Sequence, residues 1–149
     1  MQTLRTLSLI ALAFLFTTVP AFAGTVEVEG EGTPALYVVK VHADWCGSCK
    51  ALVPILDEVR ETMSAEPVLF LTLDVTDADR TGQARLLAAA LGIEQHLKTN
   101  NKTGLVLVIN PSDKTLLETL TKENTADEMV GKIEGHIAET ADEDEDMDM

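Results

Sequence analysis

Cysteine is scarce: the chain of 149 residues has two. That excludes a small scaffold stapled by several disulfides and a four-cysteine zinc site. Aromatic residues make up only 4%, so any core must be built mainly from Leu, Val, Ile and Ala. Positive charge is short as well, with 11 Lys and Arg against 25 Asp and Glu and a net charge of −14. A nucleic-acid binder needs basic residues in excess to neutralise phosphates, and a basic membrane-surface patch needs the same, so both classes are set aside. One long apolar run exists, from Leu7 to about Val19, and it is shorter than the ~20 residues of a spanning helix. There is no internal repeat and no glycine-rich nucleotide loop, so no cofactor is expected and electrons in any redox reaction would arrive by thiol exchange rather than from bound NADPH.

What remains is enough for one ordinary α/β domain, with 46% hydrophobic and 24% charged residues. The first 23 residues are expected to be an export signal. Arg5 gives a positive start, Leu7 to Phe16 an apolar middle, and Ala21-Phe22-Ala23 a small-X-small cleavage site before Gly24. An uncleaved anchor is the alternative; no cysteine follows the apolar stretch to accept a lipid. A mature chain cut there is expected to work in a bacterial periplasm, where disulfides persist, with no stable membrane insertion.

Residues 24–34 read as a linker or a short edge strand, and 35–139 as the folded domain. Tyr37 to Ala43 alternates as a strand, and Cys46 to Met63 follows as a helix with Leu52, Ile55, Leu56, Val59 and Met63 on one stripe, interrupted by Pro54. Val68 to Leu73 is a nearly continuous apolar run, expected to be a strand buried on both faces. Asp74, Thr76 and Asp77 offer cap chemistry for a helix from Ala78 to His96 that can break at Gly92. Lys98 to Gly104 reads as a polar loop, Leu105 to Ile109 as a third strand, and Thr115 to Leu120 as its hairpin partner. Asn124 or Thr125 caps a last helix to about Glu139. Short βα units make the first strands parallel, so the order is βαβαββα with a mixed sheet. Residues 140–149, rich in Asp and Glu, read as a disordered, solubilising tail.

Both cysteines fall in Ala43-Asp44-Trp45-Cys46-Gly47-Ser48-Cys49-Lys50, between the first strand and the first helix. A Cys-X-X-Cys there puts the first sulfur at a helix N-terminus, where free N–H groups and the macrodipole stabilise a thiolate. The second sulfur sits one turn in, within disulfide reach. Two other readings stand beside redox chemistry: a structural bridge, which would restrict so short a loop little, and a metal site, for which the pair supplies only two ligands. Soft thiolates suit copper(I), and His42, His96 and His136 are the histidines that a copper-delivery protein could add.

The segment Val41 to Lys50 resembles the active-site segment of the thioredoxin family, whose pattern is a strand followed by Ala-X-Trp-Cys-Gly-X-Cys-Lys. Pro54 matches that family's helix-kinking proline, Leu73-Asp74-Val75 resembles the end of its third strand, and the strand order agrees from about Ala35 to Ile137. The resemblance implies a thioredoxin fold, a three-layer α/β/α sandwich, and a thiol:disulfide oxidoreductase. It makes Cys46 the exposed nucleophile and Cys49 the buried resolving thiol of a redox-active disulfide, with Trp45 as an apolar cover, Gly47 as a tight turn against substrate, and Lys50 completing the motif. The partners it implies are cysteine-containing exported proteins and a membrane or periplasmic thiol redox partner, served by a monomer. A non-catalytic interaction module on the same scaffold is a third reading.

Three positions depart from the family. Ser48 stands where cytoplasmic thioredoxins carry proline; its restored N–H and its hydroxyl favour the thiolate and a more oxidising couple. Lys40 stands where the family has a buried acid that takes the resolving thiol's proton. Under the cysteines it would lower their pKa by its charge or lose its own proton through burial; otherwise its stem packs with the ammonium in solvent, and His42 is a substitute proton carrier or a satisfied, partly buried histidine. Thr103 or Gly104 stands at the family's cis-proline, after an enlarged segment from Glu94 to Asn101. A trans bond is expected there, since a cis bond without proline costs ~3 kcal/mol.

Overall fold

The computed structural model describes residues 32–99 and 102–146. The expected signal, residues 1–23, and most of the expected linker lie outside them; the described part of the linker, residues 32–34, forms no strand. The β-branched run in the first half becomes β1 (Leu36–His42), and the apolar stripe after Cys46 becomes α1 (Gly47–Thr62). β2 (Val68–Asp74), α2 (Ala78–Ala90), α3 (Glu94–Thr99), β3 (Leu105–Ile109), β4 (Leu116–Thr121) and α4 (Ala126–Asp146) follow. No helix of the described residues is long and apolar enough to cross a membrane.

The sheet runs β2-β1-β3-β4. β1 is parallel to β2, from Leu36 opposite Val68 to His42 opposite Asp74, whereas β3 is antiparallel to β1 and β4 to β3. Period-two alternation then splits β1 between two cores. Leu36 and Val38 face Leu52, Leu56 and Val59 of α1 and Met129 and Ile133 of α4. Tyr37, Val39 and Val41 face Ala84 and Ala88 of α2 and Ile93 beyond it. The result is the expected three-layer α/β/α sandwich, a thioredoxin fold.

Helix ends are fixed locally. Asp77 accepts the Arg80 N–H at 2.8 Å to start α2. For α4, Thr125 Oγ1 accepts the Glu128 N–H at 3.2 Å while Glu128 Oε2 accepts the Thr125 N–H at 3.0 Å, a reciprocal capping box. Each such cap contributes about 1 kcal/mol. Gly92 breaks the second helical segment by adopting φ +73°, where a side chain would be strained.

Three expectations need correction. β2 is not buried on both faces: it pairs with β1 alone among the described strands, only Leu73 is fully buried, and Leu69 is 38% exposed. The polar loop expected from Lys98 begins later, because α3 continues to Thr99. The tail expected to be disordered from residue 140 is helical to Asp146, as the end of α4. No Gly, Pro or Asn follows Gly135 to stop that helix, and Ala and Glu propagate it well.

Candidate active site

β1 ends at His42, and three residues carry the chain over the sheet edge to Cys46, which is the N-cap of α1. In place of a hydroxyl or carboxylate, the Cys46 sulfur accepts the cap hydrogen bond, from the Cys49 N–H at 3.1 Å. The Ser48 N–H, the Cys49 thiol and the Thr103 hydroxyl also hydrogen-bond to it. Burial alone would push the Cys46 thiol up, but these donors outweigh it and hold it below the usual thiol value. Cys49 goes the other way. Burial first, then its hydrogen bond to Cys46 and the neighbouring charge there, push its thiol up, and its sulfur donates to the Val41 carbonyl at 3.6 Å. Both cysteines are free thiols. The two thiols are therefore shifted in opposite directions, Cys46 towards the thiolate and Cys49 towards the protonated form.

Exposure follows the same order, though the first sulfur is less open than expected. Cys46 keeps 8% of its surface in solvent and Cys49 none. Cys46 is thus a mostly buried residue rather than an exposed one, because Val75 and Ala43 pack against the dithiol from the sheet side and Gly104 lies across it.

Gly104 explains the missing proline ring. Its N–H donates to the Val41 carbonyl at 2.9 Å and its φ is +79°. A Cβ there would come within 2.7 Å of Ser48 Cβ and 3.4 Å of Cys46 Sγ. The loop approaches the cysteines so closely that only glycine fits, and it does so through trans bonds, since no cis peptide occurs among the described residues. Thr103, one residue earlier, reaches the sulfurs with its hydroxyl. Gly47 is the opposite case. It has no positive φ, and an added Cβ would meet nothing within 4 Å. The tight turn expected at Gly47 is not needed by the fold, because an N1 residue of a helix takes ordinary helical angles.

Trp45 stands 68% exposed over the site. Its indole N–H donates to the Thr76 carbonyl at 3.1 Å, and the Asp44 N–H donates to Thr76 Oγ1 at 2.9 Å. Asp74 Oδ1 in turn accepts the Thr76 N–H at 2.9 Å and its hydroxyl at 2.5 Å. Arg80 closes the brace, 2.7 Å from Asp44 Oδ2 and 3.5 Å from Asp74 Oδ2. Hydrogen bonds from Arg80 and His42 hold the Asp44 carboxyl below its usual range. Asp74 is also held low: burial opposes this, but the Thr76 hydrogen bonds and Arg80 prevail. Sequence reasoning saw Thr76 only as a turn and cap residue, Asp74 as that and as part of a strand end, and missed Arg80. The signal available was their position at and just after the end of β2, the strand parallel to β1, whose last residue Asp74 lies opposite His42.

Lys40 and His42 share the β1 face of Leu36 and Val38, and neither is among the main influences on the two thiols. Lys40 is buried at 9% exposure. His42 Nε2 meets Asp44 Oδ1 at 3.2 Å, while its Nδ1 is buried without a partner. His42 thus belongs to the Asp44 brace. Lys50 and Ser48 lie in the first turns of α1, Lys50 exposed and Ser48 partly buried. The copper arrangement needs a histidine beside the sulfurs. Among the described residues the group of three donors that does converge is His42, Asp44 and Asp74, without either cysteine. His96 instead contacts the Lys114 carbonyl at 2.5 Å, and His136 pairs with Glu139 at 2.9 Å.

The thioredoxin family model matches residues 17–89. A protein disulfide-isomerase of Hordeum vulgare is 43% identical over 47 residues, which is 31% of this chain and only 9% of the relative's length. A thioredoxin of Coprinus comatus is 28% identical over 92 residues, covering 61% of this chain and 82% of that one. Among solved structures, a thiol:disulfide interchange protein of the thioredoxin family from Chlorobium tepidum aligns over 70% of this chain and 81% of its own, with TM-score 0.49 and 16% identity.

Proposed function

This chain carries a thioredoxin-family domain, and from that premise we propose that it is an exported thiol:disulfide oxidoreductase working on cysteine-containing proteins through Cys46 and Cys49. The observation that carries this reading is the placement of the two sulfurs: Cys46 caps α1 and accepts the Cys49 N–H at 3.1 Å, with Cys49 fully buried one turn behind it. In the reducing direction the Cys46 thiolate attacks one sulfur of a substrate disulfide. A Cys46–substrate bond forms, the substrate S–S bond breaks, and the departing sulfur takes the electron pair and then a proton. Cys49 then loses its proton and attacks Cys46. The internal disulfide forms and the second substrate thiolate leaves to be protonated. The substrate gains two electrons and two protons; the cysteine pair gives up two electrons and the Cys49 proton, and the second proton comes from solvent. A thiol redox partner in the membrane or periplasm restores the starting state, and the reverse sequence oxidises a substrate dithiol.

Each neighbour has a part. Trp45, braced on Thr76, offers an apolar surface to the incoming polypeptide, and Thr103 and Gly104 present backbone beside the attacked sulfur. Ser48 supplies an N–H to the Cys46 sulfur that proline would lack, which favours the thiolate and so a more oxidising couple. Insulin reduction driven by dithiothreitol tests the activity: the wild type accelerates it, and Cys46→Ser and Cys49→Ser both abolish catalysis. Equal rates in all three proteins would contradict the reading and leave an interaction module. Export is tested by intact mass: protein recovered from a periplasmic fraction should begin at Gly24, whereas protein retained in the cytoplasm with residues 1–23 attached would contradict it.

A further inference from the structure

Behind the dithiol, between α2, α3 and the end of β1, lies a cavity of about 180 Å³. Its apolar lining is Val41, Val75 and Leu97, and its polar lining is Thr81, Arg85, Glu94 and Lys98. Two of the apolar residues belong to the dithiol's own surroundings: the Val41 carbonyl accepts the Cys49 thiol and the Gly104 N–H, and Val75 packs on Cys46 and Cys49. The third, Leu97, comes from α3, in the enlarged segment that leads into Thr103 and Gly104. The cavity is smaller than the ~300 Å³ at which pockets for drug-sized ligands begin; its size suits a single aliphatic side chain.

The polar lining narrows the choice further. Lys98 is matched by Glu94 at 2.9 Å, whereas Arg85 has no ion-pair partner among the described residues. In a chain of net charge −14, an unmatched guanidinium beside an apolar cavity is a local reversal of sign. A guanidinium presents a planar fork of donors that fits a carboxylate in two parallel hydrogen bonds.

We propose that this cavity is a specificity pocket for polypeptide substrates, taking an aliphatic side chain on Val41, Val75 and Leu97 with an adjacent carboxylate on Arg85. The proposal rests on the oxidoreductase reading for its purpose and defines the substrate class further: disulfides flanked by an aliphatic–acidic pair. Val41 and Val75 are the two residues that the cavity lining and the surroundings of the dithiol have in common.

The test separates binding from turnover. The isotope-labelled full chain is titrated with acetyl-Leu-Glu-amide and with acetyl-Leu-Lys-amide, following backbone amide shifts. The Leu-Glu probe should move the amides of Val41, Val75, Arg85 and Leu97 and saturate. Arg85→Gln should weaken its binding at least fivefold, and the Leu-Lys probe should bind the wild type at least fivefold more weakly. Shifts confined to other parts of the chain, equal affinity for the two probes, or an Arg85→Gln variant that binds as the wild type does would each overturn the pocket. Reduction of hydroxyethyl disulfide, a substrate too small and uncharged to use the polar lining, reports the oxidoreductase reading separately. It should proceed in the wild type, and its absence there would sink that reading whatever the titration shows.

Discussion

At Cys46 the competition between burial and hydrogen bonding is decided by a few donors, which makes it open to single substitutions. Thr103→Val removes one donor from the sulfur, so the pH profile of iodoacetamide alkylation should move to higher pH. In the wild type the inflection should lie below the ~8.5 of an ordinary thiol, since a lowered pKa keeps the thiolate populated as pH falls. A wild-type inflection above that value would contradict the hydrogen-bond account. The two glycines of the site separate in the same way. Gly104→Ala forces a Cβ to 2.7 Å from Ser48 and adds left-handed strain of about 1–2 kcal/mol, so thermal melting should show a clear loss. Gly47→Ala meets open space and should melt within about 0.5 kcal/mol of wild type. Cys46 and Cys49 were legible because their chemistry is local to one strand-to-helix junction. Thr103 and Gly104 were legible only as a place where a proline is missing. That one supplies a hydroxyl and the other makes room depends on a contact across more than fifty residues of chain.

Among the elements, α1 and α4 were readable from an apolar stripe of period 3.6 and a local cap, and both starts fall where Cys46 and Thr125 put them. β2 was misread for a definite reason: a run such as Val68 to Leu73 is apolar whether its strand is central or at an edge, and its neighbours are set by topology. The helix break at Gly92 was readable, but its partner was not. Lys114, at φ +64°, lays its stem 3.1 Å from the position of a Gly92 Cβ and its ammonium 5.4 Å from the Tyr37 ring centre. Gly92→Ala should therefore cost about 1–2 kcal/mol through left-handed backbone strain, measured by urea unfolding; a neutral result would contradict this. Thr125→Ala should cost about 1 kcal/mol in the same assay by removing one arm of the capping box.

For the molecule as a whole, two cores hold one sheet, and the site sits where the parallel pair β1 and β2 ends. The Asp44, Asp74, Thr76 and Arg80 brace joins those two strand ends, and surface ion pairs of this kind contribute little stability, a median near 0–1 kcal/mol. Its effect is positional. Trp45 is the only tryptophan, so Asp74→Asn should change its fluorescence anisotropy while the melting temperature moves little; unchanged anisotropy would mean the brace does not hold the indole. The most direct test of the central claim is intact-mass analysis of Cys49→Ser protein mixed with a disulfide-containing polypeptide. The account predicts one stable adduct, joined through Cys46. No adduct, or an adduct forming equally fast through Cys49 in Cys46→Ser protein, would contradict it.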